Sequence, residues 1–155
     1  MDEKIQERYE KFLNPAILRK RLVIGSLYLA AFEILTTSII SRIKDFYTRF
    51  DTVDPEYQSK VLSRDKSPLF ASLDWLKEME AITDDDIALF REIKRFRNEF
   101  AHEIPRMVAE EFPEDWAERF ATLISLVDKI ERWWIVNYEI PAIRTLPVKR
   151  LMKKK

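Results

Sequence analysis

Glycine, cysteine and histidine are almost missing from this sequence, which contains one glycine, no cysteine and one histidine in 155 residues. Tight hairpins and Gly-rich phosphate loops need glycine, so neither a β-rich fold nor a Walker-type or dinucleotide-binding loop is expected. The lack of cysteine excludes disulfides, thiolate metal sites and a cysteine nucleophile. A single histidine makes a conventional zinc site implausible, although carboxylates alone could still bind Mg²⁺. We therefore expect no cofactor and no metal site.

The residues that are present have the composition of one compact helical domain. The chain is 46% hydrophobic and long enough to bury a core without disulfide or metal cross-links. Seven prolines against one glycine favour helices interrupted by prolines over strands joined by hairpins. We predict an all-α fold, an up-and-down bundle of four to five helices with one long central helix.

Proline and capping signals divide the chain into predicted helices, because a helix favours Ser, Thr, Asp or Asn before its first turn and Pro at its first position. They are predicted over residues 2–13, about 16–50, a short stretch after Pro55, 68–79, 84–103 and a long last helix opened by Pro113. The first is expected to be a peripheral helix or a swapped arm, and residues 103–112 a loop.

The long predicted helix includes an apolar stretch over residues 22–40, close to the length of a transmembrane span and flanked by basic residues. Glu33 lies near its middle among several hydroxyl residues, and no signal-peptide cleavage pattern follows. A central bundle helix accounts for this better than a membrane span. We expect a cytoplasmic protein without a membrane partner.

The formal net charge is zero, but it is unevenly distributed. Residues 140–155 contain six basic residues and no acidic one, which leaves a net charge of −6 on the rest of the chain. We therefore divide the chain into a helical domain over residues 1–139 and a basic C-terminal tail over residues 140–155. The tail could bind a polyanion, or it could be a solvated terminus that aids solubility.

The single histidine, His102, follows Arg97 and Asn98 at short helical range. Histidine can take and give a proton near neutral pH, and arginine offers a planar set of donors that matches a phosphate. Together they suffice in principle to cleave RNA through its own 2′-hydroxyl. A lone histidine near a helix end is, however, more often a capping or surface residue. Pro105 predicts that the helix ends near His102, which would let the imidazole swing towards Arg97.

Arg97 falls within the apolar face of its predicted helix, between Phe90 and Ile93. A guanidinium in that position is costly unless it is paired. Two explanations are open: Arg97 neutralises a buried carboxylate from another helix, for which Glu33 is the obvious candidate, or it lines a cleft between two subunits that admits a phosphate.

The string Arg97-Asn98-x-x-x-His102 resembles the signature of the HEPN superfamily, in which Arg, usually followed by a polar residue, precedes His with four to six residues between them. Upstream, Ser67-Pro68-Leu69 and the apolar positions that lead into the motif helix are similar to the branch that includes relatives of the mannitol operon repressor. The helix pattern covers roughly residues 16–138. Some family toxins have a Tyr two residues after the His, where a nucleotidyltransferase modifies them; this chain has Ile104, which argues against that control.

The resemblance implies an all-α homodimer in which two motifs face a shared cleft and cleave an RNA substrate without a metal, as a toxin or defence effector with a possible antitoxin protein as partner. His102 would transfer protons, Arg97 would stabilise the phosphate, and Asn98 would orient them or contact the phosphate. The products would be a 2′,3′-cyclic phosphate and a 5′-hydroxyl. The alternative is a non-catalytic regulator or binding module, in which Arg97 is a structural ion-pair residue and His102 a cap.

The last predicted helix has aromatic residues at helical spacing, with Trp116, Phe120 and Trp134 on its apolar face. Such residues could stack on bases, but at this spacing they more often form a core or a dimer interface. Its apolar surface exceeds what one neighbouring helix can cover. Together with the position of Arg97, this predicts a two-fold symmetric homodimer.

Overall fold

The computed structural model describes residues 3–109 and 112–145, and these form an all-α bundle, as predicted. The helices are α1 (Glu3–Leu13), α2 (Pro15–Phe46), α3 (Pro55–Lys60), α4 (Pro68–Glu78), α5 (Asp84–Ala109), α6 (Trp116–Trp134) and α7 (Ile140–Thr145). Five of them have eleven residues or more, which agrees with the four to five expected. The long central helix is α2, against which α4, α5 and α6 pack.

Helix starts follow the capping chemistry of the sequence. The Asn14 side chain accepts hydrogen bonds from the Ala16 and Ile17 amides at 3.0 and 3.4 Å, next to Pro15 at the start of α2. Before α5, Thr83 and Asp86 form a reciprocal capping arrangement. The Asp86 carboxylate accepts from the Thr83 amide at 2.7 Å, and the Asp86 amide donates to the Thr83 hydroxyl at 3.3 Å. The capping residues therefore determine where each of these two helices begins.

The core lies along one side of α2 and consists mainly of aliphatic and aromatic side chains from α2, α4, α5 and α6. Its most deeply buried large residues are Tyr28, Leu35, Ile39, Ile43, Leu73, Leu76, Phe90, Phe100, Leu123 and Ile130. Gly25 lies where α2 approaches α5, since a Cβ there would stand 3.3 Å from the Phe100 ring. The single glycine of the chain thus allows a close helix contact.

The predicted end of the long helix at residue 50 is wrong, because α2 ends at Phe46 and a short antiparallel hairpin follows. Its strands are β1 (Thr48–Arg49) and β2 (Thr52–Val53). The two turn residues, Phe50 and Asp51, both have positive φ, at 50° and 61°. A two-residue hairpin turn of this kind usually contains glycine or asparagine. This turn contains neither, so the sequence did not predict a hairpin here.

The expectation that the motif helix ends near His102 is also wrong. Helix α5 continues through Pro105 to Ala109, so most of the predicted loop over residues 103–112 is helical. Proline removes one backbone hydrogen bond from a helix interior, but the rest of a long helix can tolerate that loss. The motif residues therefore lie inside a helix and not at its end.

The last helix begins later than predicted. Its first residue is Trp116, three residues after Pro113, and it passes through a π-helical turn at Ile135–Glu139 directly into α7. Pro141 has no amide to donate, and such a wider turn accommodates the missing bond. The helix thus extends to Thr145 and includes the first residues of the basic tail. The other tail residues, 146–155, lie outside the described part of the chain.

Candidate functional site

Helix α5 positions all three residues of the Arg-Asn-x-x-x-His motif. The Arg97 side chain is 33% exposed, whereas Asn98 and His102 are both exposed to solvent. The acidic first turn of α5 and its apolar face against α2 fix the position and rotation of the helix. The directions of the three side chains therefore follow from the helical repeat.

Arg97 forms an ion pair with Glu33 of α2, with 3.0 Å between Nη2 and Oε1. This is the first of the two explanations that the sequence left open, and Glu33 is the residue that was expected. The carboxylate is not buried, however, since the Glu33 side chain is 63% exposed. Water screens such a pair, so it contributes on the order of 0.2–1 kcal/mol to stability.

Two further contacts hold the Arg97 guanidinium close to the surface of the bundle. Its Cζ atom lies 5.4 Å from the centre of the Phe32 ring, within the range of a cation–π contact. Its Nη1 donates to the Asn98 side-chain oxygen at a long 3.4 Å. Nε is buried and has no partner among the described residues. The guanidinium is thus directed towards α2.

His102 points away from Arg97 because α5 remains helical between them. Five residues at 100° each place the two side chains about 140° apart around the helix, and the helix does not end to let the imidazole swing. Within one subunit, Arg97 and His102 therefore do not face a common point. No described residue makes a hydrogen bond to the His102 imidazole, so it is available to a ligand.

The neighbours of His102 on the same face of α5 are Asn98, one turn before it, and Arg106, one turn after it. Side chains four residues apart on a helix have Cβ atoms about 5–6 Å from each other. Arg91 and Arg95 extend this row towards the start of the helix. Arg91, Arg95, Asn98, His102 and Arg106 form a polar row of about four helical turns, which we call the α5 outer row.

The arginines of the α5 outer row make contacts only at the exposed surface. Arg106 Nε lies 2.5 Å from Glu103, and Arg95 lies 3.9 Å from Glu99, both along the exposed helix surface. Arg91 lies over the Phe70 ring at 5.5 Å, where a cation–π contact leaves its donors free to bind. Exposed guanidinium groups in a row are suited to the spaced phosphates of a nucleic acid.

Sequence analysis missed Arg91, Arg95 and Arg106 as companions of His102. From Arg91 through Arg95, Asn98 and His102 to Arg106, the spacings are four, three, four and four residues. Such spacings place side chains on one face of a helix. This pattern was overlooked because Pro105 suggested a helix end before Arg106. Within the described ranges, no group of three or more His, Asp or Glu residues is placed to hold a metal ion.

A second unusual surface lies on the exposed side of α2. Between residues 22 and 41 the only charged residue is Glu33. The exposed residues of this stretch, which we call the α2 outer face, are Leu22, Val23, Ser26, Leu27, Ala30, Glu33, Ile34 and Thr37. Leu22, Val23, Leu27 and Ile34 are each about half exposed, at 48% to 56%. Exposed apolar side chains grouped on one helix face are typical of interaction sites.

Helix α2 is also long and apolar enough to cross a membrane, and less than half of its most apolar stretch is buried inside the protein. The core helices of soluble proteins and signal sequences meet the same criterion, which makes it weak evidence for a membrane span. The ion pair between Glu33 and Arg97 lies on this surface, and a charged pair is costly in the middle of a bilayer.

Comparison of the chain with protein-family models, with curated proteins and with solved structures finds no match to any of them.

Proposed function

We propose that this protein is an endoribonuclease that acts as a homodimer, with the α5 outer row as its RNA-binding surface and His102 as its proton-transfer group. The observation that supports this most is the position of the only imidazole: exposed, without a described partner, and between Asn98 and Arg106 on an arginine-rich helix face. The resemblance of the motif to the HEPN signature gives the same role to His102. No metal is required by this chemistry.

The proposed reaction is transfer of the phosphate to the neighbouring 2′-oxygen of RNA. His102 removes the proton of the 2′-hydroxyl, the 2′-oxygen bonds to phosphorus, and the bond to the 5′-oxygen breaks. The proton that His102 has taken then passes through a water molecule to the 5′-oxygen, so one subunit completes the reaction. The products are a 2′,3′-cyclic phosphate and a 5′-hydroxyl, so atoms and charges balance without a cofactor. Asn98 and Arg106 stabilise the charge that develops on the phosphate oxygens.

Arg97 can contribute to this reaction only if its pair with Glu33 opens. Because both partners are at least one-third exposed, opening costs about 1 kcal/mol or less, which a phosphate could replace. The resemblance assigns phosphate stabilisation to Arg97. In this proposal Arg97 contacts a phosphate of RNA that is bound to a second subunit, or it contacts RNA after its pair with Glu33 opens. Arg106 contacts the phosphate beside His102.

The homodimer is proposed to form through the α2 outer face. Its apolar side chains are exposed in one subunit, and a second copy would cover them. The expectation that the aromatic last helix supplies the interface is less well supported, since Leu123, Leu126, Ile130 and Trp134 of α6 are buried within the subunit. We also propose a cytoplasmic location and, as for family toxins, control by an antitoxin protein.

A non-catalytic regulator or binding module is the second candidate function. The observation that favours it is the Glu33–Arg97 pair itself, because it gives Arg97 a structural role and separates it from His102 by 140°. In this case the α5 outer row would bind a partner without cleaving it.

Cleavage of a defined RNA by the purified protein separates the two candidates. Parent and His102→Ala proteins are incubated with a 5′-labelled single-stranded RNA, with and without EDTA, and the product ends are identified. We expect cyclic phosphate ends from the parent, no effect of EDTA, and a loss of about 10²–10⁴-fold in His102→Ala. Unchanged cleavage in the variant, or no cleavage by the parent, would reject the nuclease and leave the binding module.

A further inference from the structure

The α2 outer face contains a regular apolar repeat, which we call the α2 seam. Its members, Val23, Leu27, Ala30 and Ile34, follow one another at intervals of four, three and four residues, and all are exposed. Intervals that alternate between three and four are the repeat of a helix that packs lengthwise against a second helix. No described helix of the same chain covers the seam, since Val23, Leu27 and Ile34 are 50% to 56% exposed.

The sizes of the seam residues suit a second copy that runs in the opposite direction. Two antiparallel copies, centred midway between Leu27 and Ala30, place Leu27 of one copy against Ala30 of the other. Val23 then lies against Ile34, so every layer combines a larger and a smaller side chain. Parallel copies in register would instead pair Ala30 with itself and leave a void between the larger Leu27 and Ile34 pairs.

The charge at the start of the seam favours the same direction. Lys20 is exposed and lies three residues before Val23, so it continues the repeat towards the beginning of α2. Parallel copies in register would bring the two Lys20 ammonium groups together, and like charges that face each other are unfavourable. In antiparallel copies Lys20 lies opposite Thr37, which is exposed and uncharged.

We propose that two copies of this chain associate through their α2 seams, with the two α2 helices antiparallel. The proposal rests on the homodimer proposed above and specifies the contact surface and its direction. The two-fold axis crosses α2 midway between Leu27 and Ala30. Val23 of one copy lies opposite Ile34 of the other, whereas the two Val23 residues are about 16 Å apart along the helices, at 1.5 Å per residue.

Disulfide crosslinking tests the direction, because the chain contains no cysteine of its own. Full-length Val23→Cys, Ile34→Cys and Val23→Cys/Ile34→Cys proteins are oxidised mildly and separated on non-reducing gels. A disulfide joins Cα atoms about 4.4–6.8 Å apart, so it cannot span 16 Å within one helix or between identical positions of an antiparallel pair. We expect covalent dimers from the double variant and none above background from either single variant.

The background is given by Val136→Cys, since Val136 is 60% exposed on another helix and reports random collision. Adding Leu27→Glu to the double variant should reduce its covalent dimer to that background, because a charge in the seam prevents the contact. Covalent dimers in both single variants would show parallel pairing and overturn the proposal, while leaving the α2 outer face as the interface.

A dimeric mass without any crosslink above background would overturn the proposal as well, because another surface would then form the dimer. A monomeric parent in light scattering would reject the homodimer itself. Both results are obtained without RNA, so they do not decide whether the protein is a nuclease.

A size exchange at the centre of the seam gives a second test that needs no crosslink. In an antiparallel pair, Ala30→Leu places a leucine against Leu27 of the other copy, so overpacking should raise the Kd of the dimer about tenfold. The Leu27→Ala/Ala30→Leu double variant exchanges the two sizes and should recover most of that loss. Sedimentation equilibrium measures each Kd. A lower Kd for Ala30→Leu would mean that it fills the void of a parallel pair and would contradict the proposed direction.

Discussion

Arg97 of α5 and Glu33 of α2 are 64 positions apart in the chain and form an ion pair of 3.0 Å at the edge of the bundle. The Arg97 side chain lies over the Phe32 ring, so one residue contacts α2 by both charge and packing. This relationship explains why an arginine can occupy the apolar face of α5. It also means that the motif arginine is engaged when no ligand is bound.

The first prediction concerns the energy of this pair. Glu33→Gln should lower the free energy of unfolding by about 1 kcal/mol or less, because both partners are partly exposed. Arg97→Met keeps an apolar stem over Phe32 and should cost a similar amount, whereas Arg97→Ala also loses that packing and should cost more. Urea unfolding measures all three, with Arg95→Met as the exposed control. A cost above about 2 kcal/mol for Glu33→Gln would mean that the pair is more than a surface contact.

The second prediction concerns RNA affinity along the α5 outer row. In a His102→Ala background, which prevents cleavage, Arg106→Ala should weaken binding to single-stranded RNA and make the salt dependence shallower, by about 0.7 in log–log slope per lost phosphate contact. Arg132→Ala is the matched control, because Arg132 is an exposed arginine of α6 that also pairs along its helix. Fluorescence anisotropy over a salt series measures both. An equal effect of the two variants would show that the row has no special role.

The third prediction concerns assembly through the α2 outer face. Leu27→Glu should convert the dimer to a monomer, because it places a charge in the centre of an apolar interface. Val136→Glu is the control, since Val136 is 60% exposed on a different helix and Leu27 is 53% exposed. Light scattering coupled to gel filtration gives the mass of each protein at micromolar concentration. A monomeric parent, a dimeric Leu27→Glu protein, or partition of the parent into membranes would contradict this interface.

The fourth prediction concerns acid stability at the start of α5. Burial alone would raise the pKa of Asp86, but hydrogen bonds from Lys129 and Thr83 outweigh it and lower the pKa below its ordinary value of 3.8. A lowered pKa in the folded state means that Asp86 stabilises the protein fully above about pH 3.8. That contribution is lost as the pH falls through the lower folded value.

The measurement is urea unfolding of the parent and of Asp86→Asn between pH 2.5 and 6. The parent should be more stable than Asp86→Asn above pH 4, and the difference should shrink as the pH falls below that value. Asp85→Asn changes an exposed carboxylate in the same turn and is the control for the loss of one charge at this helix start. A pH-independent difference for Asp86→Asn would show that its pKa is not lowered on folding.

Local chemistry in the sequence was enough to predict much of the fold. Asn14 with Pro15 begins α2, Thr83 begins α5, and the apolar repeat from Ile87 to Phe100 gives the buried face of α5. These features act within one or two helical turns, so neighbouring residues determine them. The all-α class followed for the same reason.

The sequence also predicted the correct partner for Arg97, but it wrongly predicted that the carboxylate of this partner is buried. A charge on an apolar face must be paired, and Glu33 was the isolated carboxylate of the long apolar helix, so the pair could be expected. Whether Glu33 is buried depends on which side of α2 faces the bundle. That side is chosen by the packing of α4, α5 and α6 together, which no local pattern specifies.

Only the tertiary structure decided how the motif residues are arranged. Pro105 locally favours a helix end, yet α5 continues past it, because a long helix that is anchored by its core residues tolerates one missing hydrogen bond. That continuation separates His102 from Arg97 and aligns it with Asn98 and Arg106. The sequence by itself determined which residues can do chemistry and where the helices begin. The packing of the helices determined which of those residues share a face, because contacts distant in the chain set where a helix ends and which side it exposes.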